Sequence, residues 1–209
     1  RAASEFSVAP EIIVAIIGVE TEYGGNTGNF RVLEALATLA FNYPRRADFF
    51  RTELEQFLLL ARENGMDPLK IRGSFAGAIG IPQFMPGSQR RYAVDFDDDQ
   101  RIDLSGSVAD AIGSVGRFLE QHGWQPGEPV AVRAHIQGDP DQTLLEAGIR
   151  PSLKQSALAE QGIVASTSST ADVALIDLVS PNRVTEYWLG FENFYVITRY
   201  NRSSFYAMS

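Results

Sequence analysis

A chain of 209 residues with 44% apolar and 11% aromatic side chains can pack one large domain, or a domain with a small appendage, and is too apolar for disorder. The absence of cysteine excludes disulfides, thiolate zinc sites and a cysteine nucleophile, and two histidines, His122 and His135, are too few for a multi-histidine metal centre. A formal net charge of −8 argues against a nucleic-acid binder, because phosphate contacts need clustered Lys and Arg.

No apolar run approaches the length of a membrane span, so no transmembrane segment is expected; the longest, Ile12 to Val19, lies within an amphipathic pattern. That run opens the first strong helix. Pro10 and Glu11 suit a first turn, and Gly24-Gly25 is a stop signal. Near its end stands Glu20, with Ile16 and Ile17 one turn earlier and Tyr23 and Gly24 one turn later. Partial desolvation and the negative end of the helix dipole both favour the protonated carboxyl, raising its pKa toward what a general acid at neutral pH requires. A Glu near a helix end is also an ordinary solvated residue, and this stretch alone leaves both readings open. Glu22, about 100° per residue further round, points to nearly the opposite side and is expected on the surface.

Leu33 to Phe41 is apolar on most faces and reads as a buried helix. Asn42-Tyr43-Pro44 breaks it. The next helix, Arg45 to Asn64, carries Phe49, Phe50, Leu54, Phe57, Leu58 and Ala61 at helical spacing, and Gly65 ends it. Residues 73–87 differ in kind, with glycines and two prolines among aromatics and little charge. The segment is either a backbone that makes a close approach to something or a buried connection between helices. A helix from Val108 to His122 presents Ile112, Val115, Phe118 and Leu119, and Gly123 stops it.

Composition changes at Gln125-Pro126-Gly127. Strand signals follow at 130–136, 173–179, 185–191 and 193–198, with short helices at 143–145 and 151–160 and a loop tip at 166–170. The chain is therefore read as α+β, mainly α. A helical domain is expected over residues 1–127 plus 196–209, the last stretch returning to the helical body, with a small β-containing subdomain over 128–195. No internal repeat or low-complexity linker is visible.

From Asp95 the chain runs DFDDDQRID, placing carboxylates at relative positions 1, 3, 5 and 9 in the manner of an EF-hand loop that wraps a hard cation in oxygens. The expected metal residues are Asp95, Asp97, Asp99, Arg101 (at the position where that pattern uses a backbone carbonyl), Asp103 and Asp110. Gln100 stands where the sharp turn normally uses Gly, and Gly106 where a bidentate Glu closes the shell, so Asp110 is the candidate closing carboxylate of a loop spanning 95–110. Five Asp within nine residues repel one another without a counter-ion, which favours a structural Ca²⁺ over a solvated acidic turn; Ca²⁺ is a poor generator of nucleophilic water.

Several segments together resemble the membrane-bound lytic transglycosylase B family, bacterial enzymes that cleave peptidoglycan strands. They are PEIIVAIIGVETEYG around Glu20, LEALATLAFNYPRRADFF at 33–50, GSFAGAIGIPQFMPGS at 73–88, the loop from Asp95, and YWLGFENFYVITRYNRSSFYAM near the C-terminus. The match runs through nearly the whole chain, and its specificity lies in the combination. The resemblance implies that the helical domain is lysozyme-like and that Glu20 is the single catalytic acid. It casts Ser74 and Gln83 as substrate-positioning residues, Arg45 and Arg46 as ligands for peptide or sugar substituents, and Tyr200, Asn201, Tyr43 and Tyr206 as lining the sugar sites. Each has a plain structural alternative. The arginines can be solvated first-turn residues, Ser74 and Gln83 can satisfy backbone groups in a Gly-rich loop, and the tyrosines can be core residues with paired hydroxyls.

Most glycosidases use two carboxylates, and no convincing second one accompanies Glu20. The implied reaction needs one, because the attacking hydroxyl comes from the substrate itself. The expected activity is cleavage of the β-1,4 bond between N-acetylmuramic acid and N-acetylglucosamine with 1,6-anhydro ends, Glu20 acting as sole acid and then base. No cofactor is required for the chemistry. The expected partners are peptidoglycan glycan strands and other cell-wall enzymes, in the periplasm, with the protein soluble or lipid-anchored through a preceding segment. The competing readings are a lysozyme-type hydrolase and a non-catalytic, calcium-dependent glycan-binding module.

Overall fold

The apolar periodicity of the N-terminal half is realised as a set of helices that bury one face each. In the computed structural model, which describes residues 1–136, 138–167 and 169–209, two compact units are formed by residues 1–121 and 122–209. The first contains helices α1 (Ala2–Phe6), α2 (Pro10–Thr21), α3 (Val32–Asn42), α4 (Ala47–Glu63), α5 (Pro86–Tyr92) and α6 (Val108–Gln121). A two-stranded ribbon pairs β1 (Phe30–Arg31) with β2 (Arg72–Gly73), placing Phe30 opposite Gly73.

Among the described residues, two groups of contacts stand out in this unit. In one, Val32, Leu36 and Ala40 of α3 meet Phe50, Phe57 and Leu60 of α4, with Ile79 from the Gly-rich segment inserted beside them. In the other, α6 turns small residues toward its neighbours. Gly116 lies against Phe6 of α1 and Ile13 of α2, and Gly113 lies against Phe96. The Phe6 and Phe96 rings are 5.9 Å apart. Val115, Phe118 and Leu119 are buried as the stripe on α6 requires.

The apolar count overstated the burial of two helices. In α3 the buried residues are Val32, Leu36 and Ala40, a single i, i+4, i+8 line, while Phe41 is 70% exposed. In α4 the stripe is Phe50, Glu53, Phe57, Leu60 and Ala61, leaving Phe49 and Leu58 largely exposed. The residues expected to start α4 instead form a 3₁₀ turn, Pro44–Arg46.

The second unit is a four-stranded antiparallel sheet in the order β4-β3-β6-β5. Its strands are β3 (Ala131–Ile136), β4 (Ile163–Ala165), β5 (Ala174–Leu178) and β6 (Glu186–Gly190), with helices α7 (Gln142–Glu146), α8 (Gln155–Glu160), α9 (Glu192–Tyr200) and α10 (Ser204–Met208). One face packs Leu175 and Leu189 on Leu144 and Leu158 from α7 and α8, and the other packs Ala174 and Ile176 on Phe194 of α9 and Ala207 and Met208 of α10.

Residues 193–198, expected as a strand, are helical. The β-branched and aromatic run NFYVIT has strand propensity, but such propensities amount to about 1 kcal/mol at most and yield to packing. As a helix it buries Asn193, Phe194, Val196, Ile197 and Thr198, with Glu192 in its first turn and Arg199 in its last, where the helix dipole favours those charges. Asn193 accepts from Gln125 N–H (2.7 Å) and donates to the carbonyls of Gln125 and Glu128 (both 2.8 Å), fixing the chain where composition changes. The unit boundary at 121/122 also differs from the expected division. Residues 196–209, assigned from sequence to the helical body, lie in the second unit, where α10 packs on β5. Ser168, in the expected loop tip at 166–170, lies outside the described residues. Among the described residues, no helix is long and apolar enough to cross a membrane.

Candidate active site

Glu20 sits half-buried in the last turn of α2, a helix that buries Ile13, Ile16, Ile17 and Thr21 on one side. Pro10 starts it at a position where a missing N–H costs nothing. Its end is unusual. Glu22 and Tyr23 are consecutive non-glycine residues in the left-handed region, with φ 52° and 60°, a conformation that costs roughly 1–3 kcal/mol per residue. Glu22 is exposed, as its angular position on the helix requires, and the Tyr23 ring lies back over Gly18, where any side chain would collide with it.

What holds this end is Thr21. Its buried hydroxyl donates to the carbonyl of Ile81 (2.8 Å) and accepts from Gly24 N–H (3.0 Å). Ile81 N–H in turn donates to the carbonyl of Leu104 (2.7 Å). The acid-bearing helix is thereby tied to the Gly-rich segment, and that segment to the end of the acidic loop.

The Gly-rich segment is a chain of tight turns. Ile79 and Phe84 exchange backbone hydrogen bonds (2.8 and 3.2 Å), and Phe84 packs on Phe118 of α6 with ring centroids 5.6 Å apart. Gly77, at φ 87°, lies so close to Leu36 that a Cβ would overlap its side chain. The segment is largely a buried connection, though Phe75 is exposed, and Gly77 permits close approach of its backbone to the α3 core.

Ser74 Oγ accepts from Ala78 N–H (3.0 Å) and Ala76 N–H (3.3 Å), which leaves its proton available to a ligand. Gln83 takes a left-handed backbone, φ 50°, and its amide nitrogen donates to the carbonyls of Gly80 (2.9 Å) and Thr27 (3.1 Å). Since Thr27 belongs to the loop after α2, Gln83 joins the two segments that flank the Glu20 end of the helix. Each side chain therefore does satisfy backbone groups of the loop while presenting remaining polar capacity.

Arg45 and Arg46 are exposed on the 3₁₀ turn between α3 and α4. The Arg46 guanidinium lies 4.4 Å from the Phe49 ring centroid and 5.3 Å from that of Phe50, and Tyr43 packs on Phe50 at 6.4 Å. Tyr200 and Tyr206 belong to the second unit, where their rings stack with centroids 6.5 Å apart and planes 13° from parallel. Asn201 follows α9 and accepts from Ser203 N–H (3.2 Å), and Ser203 caps α10 by accepting from Tyr206 N–H (3.3 Å).

One buried carboxylate had no place in the sequence reading. Glu53 lies within the apolar stripe of α4 and accepts from Gly87 N–H (2.8 Å) near the start of α5. Burial pushes its carboxyl above the ordinary 4.5, opposed by the Gly87 hydrogen bond and by Arg91. It caps the helix that closes the Gly-rich segment and serves the scaffold. Its spacing, three residues after Phe50 and four before Phe57, was the signal available in the sequence.

In the acidic loop, Asp95, Asp97 and Asp99 each bring one carboxylate oxygen within 4.8 Å of the others. Gln100 adopts φ 70°, the left-handed conformation for which EF-hand loops use Gly. The oxygen-only donor set at alternate positions fits a hard cation. Asp103 turns Oδ1 to the N–H groups of Ser105 (3.0 Å) and Gly106 (2.8 Å) and lies outside the convergent group. Asp110, expected as the closing ligand, is fully buried. Its two oxygens accept from Phe96 N–H (2.7 Å) and Asp103 N–H (2.8 Å), so it braces the loop from within and also lies outside the convergent group.

Comparison with known proteins places this arrangement in a family. The chain is 47% identical, over 100% of its length and 57% of the relative's, to membrane-bound lytic murein transglycosylase B of Escherichia coli (strain K12). It thus spans little more than half of that curated relative. The crystal structure of the Escherichia coli lytic transglycosylase Slt35 in complex with calcium superimposes with a TM-score of 0.88 at 48% identity, covering 100% of this chain and 65% of that one. The structure of SltB3 from Pseudomonas aeruginosa in complex with NAG-anhNAM-pentapeptide gives 0.83 at 30% identity, over 99% and 56% of the two chains. The α+β, mainly helical fold with a lysozyme-like helical domain is the one these transglycosylases have. The model of the transglycosylase SLT domain matches residues 1–209, and the chain belongs to that family.

Proposed function

We propose that this chain is a lytic transglycosylase of peptidoglycan in which Glu20 is the sole general acid and then the general base. The observation that carries the reading is Glu20 itself, a half-buried carboxyl on a helix end bound to the Gly-rich segment. Relatives named as murein transglycosylases, and one described with an anhydro-muramyl ligand, support the substrate class. The buried glutamate of this unit among the described residues, Glu53, accepts Gly87 N–H, which favours a one-carboxylate mechanism.

Glu20 enters protonated and gives its proton to the glycosidic oxygen as the bond from muramoyl C1 to that oxygen breaks. N-acetylglucosamine leaves with a free 4-hydroxyl, and the muramoyl acetamido oxygen stabilises the oxocarbenium-like centre. The Glu20 carboxylate then takes the proton of the C6 hydroxyl as its oxygen bonds C1. The product is a 1,6-anhydro ring, no water is consumed, and Glu20 is again protonated. Holding the C6 hydroxyl near C1 replaces an activated water. In this reading Ser74 and Gln83 position the sugar, Arg45 and Arg46 bind anionic peptide or lactyl groups, and Tyr200, Asn201, Tyr43 and Tyr206 line sugar subsites. Asp95, Asp97, Asp99, Arg101, Asp103 and Asp110 form the loop that holds a structural Ca²⁺, with Asp95, Asp97 and Asp99 as its convergent carboxylates, and the site of action is the periplasm.

The test is Glu20→Gln on purified peptidoglycan with mass spectrometry of the products. The expectation is loss of at least a thousandfold in release, since acid–base groups contribute roughly 10²–10⁴-fold each and one group here serves both steps. Substantial release by the variant refutes the assignment. Wild-type products with reducing ends, one water heavier than anhydro ends, would make the chain a hydrolase.

A further inference from the structure

A threonine inside a helix ordinarily bonds the carbonyl one turn back, and Thr21 does approach Ile17 O at 3.3 Å. Its shorter bond, 2.8 Å, goes instead to Ile81, 60 residues along the chain. A hydroxyl has one proton, and the shorter contact takes the larger share of it. The lone pairs accept Gly24 N–H at 3.0 Å, so one side chain with 1% exposure satisfies groups from two loops. Ile81 is itself held from its other side by Leu104, which makes its carbonyl a fixed anchor.

Glu20 needs such an anchor. It stands in the last helical turn, where carbonyls lose their intrahelical partners and ends fray. The next two residues after Thr21 reverse the chain in left-handed conformations that persist only when surroundings enforce them. Proton transfer tolerates little angular error, so a frayed turn would scatter the carboxyl.

We propose that Thr21 is a positioning residue, its hydroxyl clasp to Ile81 and Gly24 fixing the last turn of α2 and thereby the direction of the Glu20 carboxyl. The inference rests on the reading of Glu20 as the reacting acid. The experiment compares Thr21→Val, which keeps the shape and removes the hydroxyl, with Thr21→Ser, which keeps the hydroxyl. Leu60→Ala, a core truncation in the α3–α4 cluster, supplies a control for simple destabilisation.

On a soluble glycan-strand substrate, Thr21→Val lowers kcat by roughly ten- to a hundredfold, the scale of an ångström-sized misplacement. KM changes by less than about threefold, the kcat–pH profile moves, and Thr21→Ser restores kcat to within about threefold of wild type. Leu60→Ala lowers Tm but leaves kcat and the pH profile in place. If the valine variant does not fold, Thr21→Cys carries the comparison, because its weaker donor predicts an intermediate kcat. A wild-type kcat in Thr21→Val or Thr21→Cys, or a serine variant as impaired as the valine one, overturns the proposal. Glu20→Gln in the same assay separates the two claims. Full activity there sinks the acid assignment, whereas an inactive Glu20→Gln beside a fully active Thr21→Val sinks the clasp alone.

Discussion

Replacing Glu53 isolates the cost of burying a charge in the scaffold behind the site. Glu53 is 9% exposed, its carboxyl accepts one N–H from Gly87, and desolvation is the chief cause that holds its pKa above 4.5. A raised carboxyl pKa means that the folded chain holds the proton more tightly than the unfolded chain. The group therefore carries no penalty below pH 4.5, and its penalty grows as pH rises through the folded value. Glu53→Gln keeps an acceptor for Gly87 and carries no charge at any pH. Its stability relative to wild type should rise as pH increases from 4.5 to 8. Glu53→Ala removes the acceptor as well. Losing a hydrogen bond to a charged group costs roughly 1.5–3 kcal/mol, and for a chain of this size that lowers Tm by about 3–12 °C. Urea unfolding followed by circular dichroism across this pH range measures both. A Glu53→Gln difference that stays flat with pH would refute the buried-charge argument, and an alanine variant as stable as glutamine would refute the capping role.

Gly77→Ala must accept both a left-handed alanine and an overlap with Leu36. Roughly 1–2 kcal/mol for the conformation and 1–3 for overpacking give about 2–5 kcal/mol of destabilisation by urea unfolding, and a loss under 1 kcal/mol contradicts the close approach. If Asp95, Asp97 and Asp99 hold Ca²⁺, saturating calcium raises stability by about 2.7 kcal/mol at a hundred times its Kd. EDTA reverses the gain and Asp97→Asn abolishes most of it, both read as Tm. An unchanged Tm at millimolar Ca²⁺ would remove the metal from the loop.

Local pattern was enough for the helices that carry the site. Proline and acidic residues at the start, apolar repeats and closing glycines are written within a few residues of each element, and α2, α4 and α6 follow from them. The alternating aspartates stood out by residue type and short spacing, whereas Glu20 and the Gly-rich segment took their proposed roles from the family resemblance, since their local pattern fits a surface residue and a buried connection equally well. What the tertiary structure decided is long-range. The bond from Thr21 to Ile81 spans 60 residues, that from Glu53 to Gly87 spans 34, and neither leaves a period in the sequence. The bonds from Asp110 to the backbone N–H groups of Phe96 and Asp103, 14 and 7 residues away, likewise brace the acidic loop in a way its charge pattern does not encode. Residues 193–198 carried strand propensity and became helix α9, since local preference is worth less than burying Phe194 against the sheet. Gln100 showed how far surroundings can overrule residue type, by holding a glutamine where the loop geometry asks for glycine. The sequence determined which groups could do chemistry, and the folded chain determined how they are held, because orientation is set by hydrogen bonds and packing between segments distant in the sequence.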